Sequence, residues 1–421
     1  MLADRTLGLL REGYPWAPHL RGGRTAVPIR FLGRRSAVVG GPEGVRRFYD
    51  ASLRRRGAFP PPIKLVLFGA GSVHGLDDAD QHHRKAMFVD VLSPASVQAL
   101  GERTAREWEA ALARWQDADR VVLFDEAVRV IATSVLLWAG IPVTPPELPR
   151  RARQLATIVD GFAKPGRPYL QAVVARAQTD RWARALVHQV RTGAVDAVPG
   201  TALHAAATAT DRQGRLLPEH VAGVELLNVV RPTVAVAWFV AFAGQALHEN
   251  PRWRERIAGG DDAALEAFVQ EVRRRYPFVP VLAARTRSAQ DVLGVAVPRG
   301  GFVVLDVHGT DHDPEHWPDP ERFDPSRFLS GPVDPDTLVP QGGGDVATGH
   351  RCPGEGATLT VLAVAVRALA SASASLTVPP QDLGHAPDVM PARPRSGVVL
   401  SVRPAGAPAA AGCPFSGGAA S

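Results

Sequence analysis

Gln341-Gly342-Gly343-Gly344-Asp345, followed by Gly349-His350-Arg351-Cys352-Pro353-Gly354-Glu355, is the stretch that decides how this chain is read. Cys352 is one of two cysteines; the other, Cys413, lies in a Gly/Ala/Ser tail. Two cysteines at unrelated positions make no disulfide framework. Glycines let a backbone approach a flat group closely, and His350 and Arg351 are basic residues placed to hold the sulfur as thiolate, the form that binds metal. Such a thiolate suits the axial position of a haem iron, where it pushes electron density onto the metal. A buried structural cysteine is the other reading, and this loop alone does not separate the two.

Two upstream segments do. In Glu271-Val272-Arg273-Arg274, Glu271 and Arg274 stand three apart on one helix face, a spacing that elsewhere is often a solvated surface pair. The run His316-Trp317-Pro318-Asp319-Pro320-Glu321-Arg322-Phe323-Asp324-Pro325-Ser326-Arg327-Phe328 is too rich in proline for a helix or a central strand and reads as an ordered loop. Glu-x-x-Arg, then this loop, then the cysteine loop, in this order, resembles the cytochrome P450 superfamily, and the resemblance spans roughly residues 20–404. It implies a mainly α fold with small β-sheets and a bound haem b. It also implies that Cys352 is the iron ligand, and that Glu271, Arg274 and Arg322 form a structural ion-pair set.

Residues 221–247 are apolar enough in length to bring a membrane span to mind. Glu225, Asn228, Arg231 and Pro232 interrupt them, however, and arginine at a bilayer centre is costly, so a buried core helix is expected. The resemblance lays this helix across the distal face of the haem. Monooxygenases of the superfamily carry an acid followed by an alcohol there; this chain has Arg231-Pro232, then Thr233 with no acid before it. A guanidinium among Val, Ala and Trp needs a partner. Glu225, six residues back, is off its face, so the expected partner is a carboxylate that comes and goes, held by the planar fork of arginine. Arginine snorkelling to the surface is the ordinary alternative. Pro232 removes a backbone donor and is expected to open the helix near Asn228.

Arg-Pro in this helix resembles the P450 fatty-acid peroxygenases. So do Leu67-Phe68-Gly69, Val73-His74-Gly75-Leu76-Asp77 and His83-Arg84-Lys85, together with Asp345 and His350 where the wider superfamily has phenylalanine and arginine. This resemblance implies hydrogen peroxide as oxidant, with no redox partner, and a long-chain fatty acid as substrate. The products implied are the alpha- or beta-hydroxy acid and, by oxidative decarboxylation, the terminal alkene. Arg231 and Pro232 are implied as catalytic, Arg231 also as the substrate's anchor, Phe68 as a pocket wall and His74 as a catalytic group at the branch between the two outcomes. Lys85 and Arg84 are implied as haem-propionate contacts, with Arg55 and Arg285 weaker ones; Gln81 stands where the family often has histidine. The enzyme alternative is a dioxygen- and NAD(P)H-dependent monooxygenase, against which Arg231-Pro232 counts. The non-enzyme alternative is a haem- or fatty-acid-binding protein without turnover.

Composition agrees with a globular enzyme: 45% hydrophobic and 21% charged residues exclude global disorder. The net charge of +6 comes from scattered arginine rather than a basic stripe with aromatics, which argues against nucleic-acid binding. The first twelve residues carry Asp, Arg and Glu and no long apolar run, so neither signal peptide nor membrane anchor is expected and the cytoplasm is the expected compartment. One P450 domain is expected over residues 1–404, with a disordered tail over 405–421. His308, His312 and His316 have zinc-compatible spacing, but the interleaved Gly309, Pro314, Pro318 and Pro320 speak against a shared helix face. Apolar spacing predicts helices over 95–115, 125–139, 150–162, 169–192, 262–275 and 357–374. Strands are predicted within 20–40 and 293–307 and at the pair 375–378 and 397–402.

Overall fold

A computed structural model describes residues 3–402, so the expected tail and Cys413 lie outside the described residues. The six predicted helices are present at Pro94–Trp115, Leu123–Trp138, Leu148–Gly161, Arg167–Arg191, Asp262–Arg275 and Glu355–Ser371. Pro94–Trp115 illustrates the cause. Proline occupies its first turn, where no amide bond is lost, and Val97, Leu100, Gly101, Thr104, Trp108, Ala111 and Trp115 bury one face at three- and four-residue intervals.

The apolar stretch folds as two consecutive helices, Glu219–Val234 and Val236–Glu249, meeting at Ala235. Over Glu219–Glu249 the composition would suffice to cross a membrane, but 94% of its most apolar window is buried inside the protein, where it forms the centre of the main hydrophobic core. Pro232 lies inside the first helix, and the expected opening beside Asn228 moves downstream to the seam at Ala235. The Thr233 hydroxyl donates to the Val229 carbonyl at 2.9 Å.

Beside the helices stands a five-stranded sheet in the order Ala26–Phe31, Arg34–Val39, Phe302–Asp306, Val281–Thr286, Leu53–Arg54. Only the Arg34–Val39 and Phe302–Asp306 pairing is parallel. Val27, Ile29 and Phe31 alternate inward, the period-two signal of the sequence. Leu376–Thr377 and Val399–Val402 pair antiparallel as predicted, with Arg120–Val122 on the far side. The strand Val281–Thr286 was not legible, because its first three residues are all half-buried and show no alternation.

One expected contact is corrected. Glu271 and Arg274, both fully buried, form a doubled hydrogen-bonded pair with both distances at 2.7 Å. The loop arginine facing Glu271 is Arg327, at 3.7 Å, not Arg322. Arg322 points to solvent and pairs with Asp324 at 3.8 Å, offering only its backbone carbonyl to Arg274. The turn Pro325–Phe328, capped by Asp324, swings Arg327 inward, and Glu271 in addition accepts the Asp324 amide at 2.8 Å.

Candidate active site

The cysteine loop hangs between two anchors. The Cys352 amide donates to the Gln341 carbonyl at 3.2 Å. Glu355, opening the next helix, binds Arg351 at 2.7 Å and Arg273 of the Asp262–Arg275 helix at 2.5 Å. The glycines before it face Tyr49: a Cβ on Gly342 would fall 2.5 Å from the Tyr49 hydroxyl, and one on Gly344 3.1 Å from its ring. Only glycine permits this approach, and both residues also have positive φ.

The cations expected to hold the thiolate are engaged elsewhere. Arg351 belongs to Glu355, and His350 is lowered to about 3 by burial and by Arg55 and Lys85, so it is neutral. Burial raises the Cys352 thiol above its ordinary range, opposed by the Gly354 amide and by Lys85. A metal held by Cys352 would supply the positive charge that keeps a coordinating thiol deprotonated.

The 3-10 turn Val73–Gly75 presents His74, the end of the Pro61–Leu67 helix presents Phe68, and the Glu219–Val234 helix presents Arg231. The His74 and Phe68 rings stack at 4.0 Å between centroids, and the Arg231 guanidinium lies 6.0 Å from the Phe68 centroid. Arg231 is 5% exposed and makes no ion pair among the described residues, so the snorkelling alternative fails. Its one side-chain hydrogen bond is to Asn228 at 3.4 Å, and its Nε has no partner. Burial, with Arg176 adding to it, lowers Arg231 below its ordinary value, while Cys352 pulls the other way. His74 is lowered to about 3, by burial first and then by Arg231. Near neutral pH it is a neutral imidazole, able to donate an N–H but not to act as imidazolium, and its Nδ1 has no partner.

The expected propionate contacts divide. Lys85 reaches the cysteine loop, donating to the carbonyls of Gly349 at 2.5 Å and Arg351 at 2.8 Å. Gln81 lies beside it, its amide on Gly349 at 3.2 Å and its Oε1 without a partner. Arg55 is buried with its guanidinium 4.2 Å over the Phe48 ring. Arg84 pairs through one nitrogen with buried Glu225 at 2.8 Å, and its Nε has no partner among the described residues. Arg285 turns to the Gly300 carbonyl. The histidine series holds no metal cluster among the described residues; His308 and His312 pack together at 4.2 Å, and the two ring nitrogens of His312 face the His308 and Arg275 carbonyls at 2.9 and 3.2 Å, one of which a neutral ring can bond.

These observations fit a haem. A cysteine stands on a glycine-rich loop, and buried polar atoms of Gln81, Arg84, His74, Arg231 and Gln341 lack partners. Lys85 reaches that loop as a buried cation. Fold and site together define a haem-thiolate protein of the cytochrome P450 class. A cytochrome P450 family model matches residues 263–364. Cytochrome P450SP alpha (CYP152B1) in complex with (R)-ibuprophen superposes with a TM-score of 0.91 at 37% identity, over 95% of this chain and 98% of that one. Cytochrome P450EX alpha (CYP152N1) with myristic acid gives 0.89 at 37% identity, over 94% and 96%, and cytochrome P450 OleT, ligand-free, 0.90 at 32% over the same shares. Putative cytochrome P450 138 of Mycobacterium tuberculosis is 24% identical over 76% of this chain and 75% of its own. The chain belongs to the CYP152 family of cytochromes P450, and its cofactor is haem with a cysteine thiolate on the iron.

Proposed function

We propose that this protein, a single P450 domain over residues 1–404, hydroxylates long-chain fatty acids at the alpha or beta carbon with hydrogen peroxide. Oxidative decarboxylation to the terminal alkene is a second outcome. It works in the cytoplasm without a redox partner. The observation that carries this reading is Arg231: a deeply buried guanidinium with no carboxylate partner among the described residues, at the position where the resemblance implies an acid in a dioxygen-using enzyme.

Arg231 binds the fatty-acid carboxylate in a two-pronged fork. A head group held there fixes the carbons next to it within reach of the oxidant, so attack falls at the alpha or beta position. The same carboxylate takes the place of the missing acid and carries the peroxide proton from one oxygen to the other. Phe68 walls the pocket, and neutral His74 donates an N–H toward the head group. Haem, bound through Cys352, supplies the peroxide activation and hydrogen removal. In hydroxylation, peroxide and the acid give the hydroxy acid and water. In decarboxylation, the acid and one peroxide give the alkene, carbon dioxide and two waters.

The test mixes the purified haem protein with a long-chain fatty acid and peroxide, without reductase or NADPH, and identifies products by mass spectrometry. Hydroxy acid or alkene is expected. Product that forms only with redox partners and NADPH would make the protein a monooxygenase.

A further inference from the structure

Glu225 is a fully buried carboxylate in the middle of the Glu219–Val234 helix, and the chemistry above does not use it. A carboxylate so placed is strongly unfavourable unless it is paired and hydrogen-bonded. Its partners come from three separate elements. One oxygen accepts from the Val73 amide at 2.8 Å and from the Arg84 guanidinium at 2.8 Å. The other accepts from the Asn228 side-chain amide at 3.1 Å.

Asn228 passes this on. Its Nδ2 donates both to Glu225 and to the Phe68 carbonyl, at 3.1 Å each. A peptide carbonyl only accepts, so the amide cannot flip, and its Oδ1 must face the other way. There it accepts the Arg231 guanidinium at 3.4 Å, the only side-chain hydrogen bond Arg231 makes among the described residues. The segments that carry His74, Phe68 and Arg231 are therefore all tied, directly or through Asn228, to one carboxylate. Val73 carries the turn of His74, the Phe68 carbonyl is tied through Asn228, and Arg231 is the last rung of a series at residues 225, 228 and 231 along one helix.

We propose that Glu225 is the positioning residue of the head-group pocket, a single buried charge neutralised by Arg84 that sets the angle of the Arg231 fork and the seat of His74 together. This rests on Arg231 being the carboxylate anchor. A planar fork must meet its carboxylate within roughly 10–20° of the productive geometry, so what orients the guanidinium also sets affinity and carbon selection. Glutamine at this position keeps the shape, but it leaves Arg84 unpaired and offers Asn228 a donor as readily as an acceptor.

The test compares haem-loaded wild type, Glu225→Gln, Asn228→Ala and Arg231→Ala. The haem absorbance change measures binding of a long-chain fatty acid and of the fatty alcohol of equal length; product ratios follow with peroxide. Asn228→Ala cuts the same relay while keeping the Glu225–Arg84 pair, so the idea stays testable if Glu225→Gln does not fold. The expected result is acid binding weakened about tenfold in both relay variants, the worth of one charge-assisted hydrogen bond. Alcohol binding should be unchanged and the alkene-to-hydroxy-acid ratio shifted. Equal weakening of acid and alcohol would reduce Glu225 to a general packing role and overturn the proposal. Acid binding lost in Arg231→Ala but kept in both relay variants would overturn the role of Glu225 alone. Acid binding kept in Arg231→Ala would remove the anchor, and this proposal with it.

Discussion

The His74 ring lies flat against Phe68, with centroids 4.0 Å apart and planes 20° from parallel. Stacking fixes the ring, while burial and the Arg231 charge lower it to about 3. The folded value lies below the ordinary 6.5, so the ring takes up a proton less readily folded than unfolded. Its contribution to stability is full above pH 6.5 and lost as the pH falls toward 3. On the proposed function His74 is a neutral donor, and the alkene share is expected to stay flat across about pH 5–8, where an unperturbed histidine would titrate. A share that climbs steeply with acidification would show an imidazolium donor. Replacing His74 by Gln is expected to lower the alkene share; an unchanged ratio would remove His74 from the branch point.

Arg231→Ala is expected to cut fatty-acid affinity by about 2–5 kcal/mol, the cost of truncating one side of a desolvated charge pair. The protein should fold and keep its haem. Affinity in the wild type is expected to hold between pH 7 and about 10, because a guanidinium keeps its proton throughout that range. Titrating binding checks this; affinity lost inside that window would place the anchor on a group that titrates there.

Cys352→Ala is expected to abolish the thiolate-type ferrous–CO absorption band, because Cys352 is the only cysteine among the described residues. Persistence of that band would move the iron ligand outside the cysteine loop.

Arg274→Ala leaves Glu271 buried without its doubled partner and is expected to cost about 3–5 kcal/mol. Arg327→Ala should also destabilise, by less. Arg322→Ala, at an exposed side chain 3.8 Å from Asp324, should stay within about 0.5 kcal/mol. Thermal melts rank the three; Arg322 more costly than Arg327 would reverse the loop assignment.

Much of this was legible in the sequence, for identifiable reasons. Helices such as Pro94–Trp115 declare themselves through one apolar face, and Arg231 through being a lone cation in an apolar run. Arg322 and Arg327 carry the same chemistry five residues apart, and only the Pro325–Phe328 turn decides which one points inward. The pairing of Arg84 with Glu225 was not legible because the two are 141 residues apart. Asn228 was noticed only as an interruption; its three-residue spacing to both Glu225 and Arg231 was the available sign of a relay. The neutrality of His74 depends on burial and on charges from other elements, which spacing does not report.

The Asp262–Arg275 helix holds Glu271 and Arg274 against the proline-rich loop and, through Arg273, grips Glu355 beside the cysteine loop. One added or deleted residue between Glu271 and its arginines would turn one set of contacts by about 100° relative to the other. Both loops would come away in one step, and no single later substitution would restore them. This helix can drift in composition on its outer face but not in length, so the history of relatives should record substitutions here and almost no insertions or deletions.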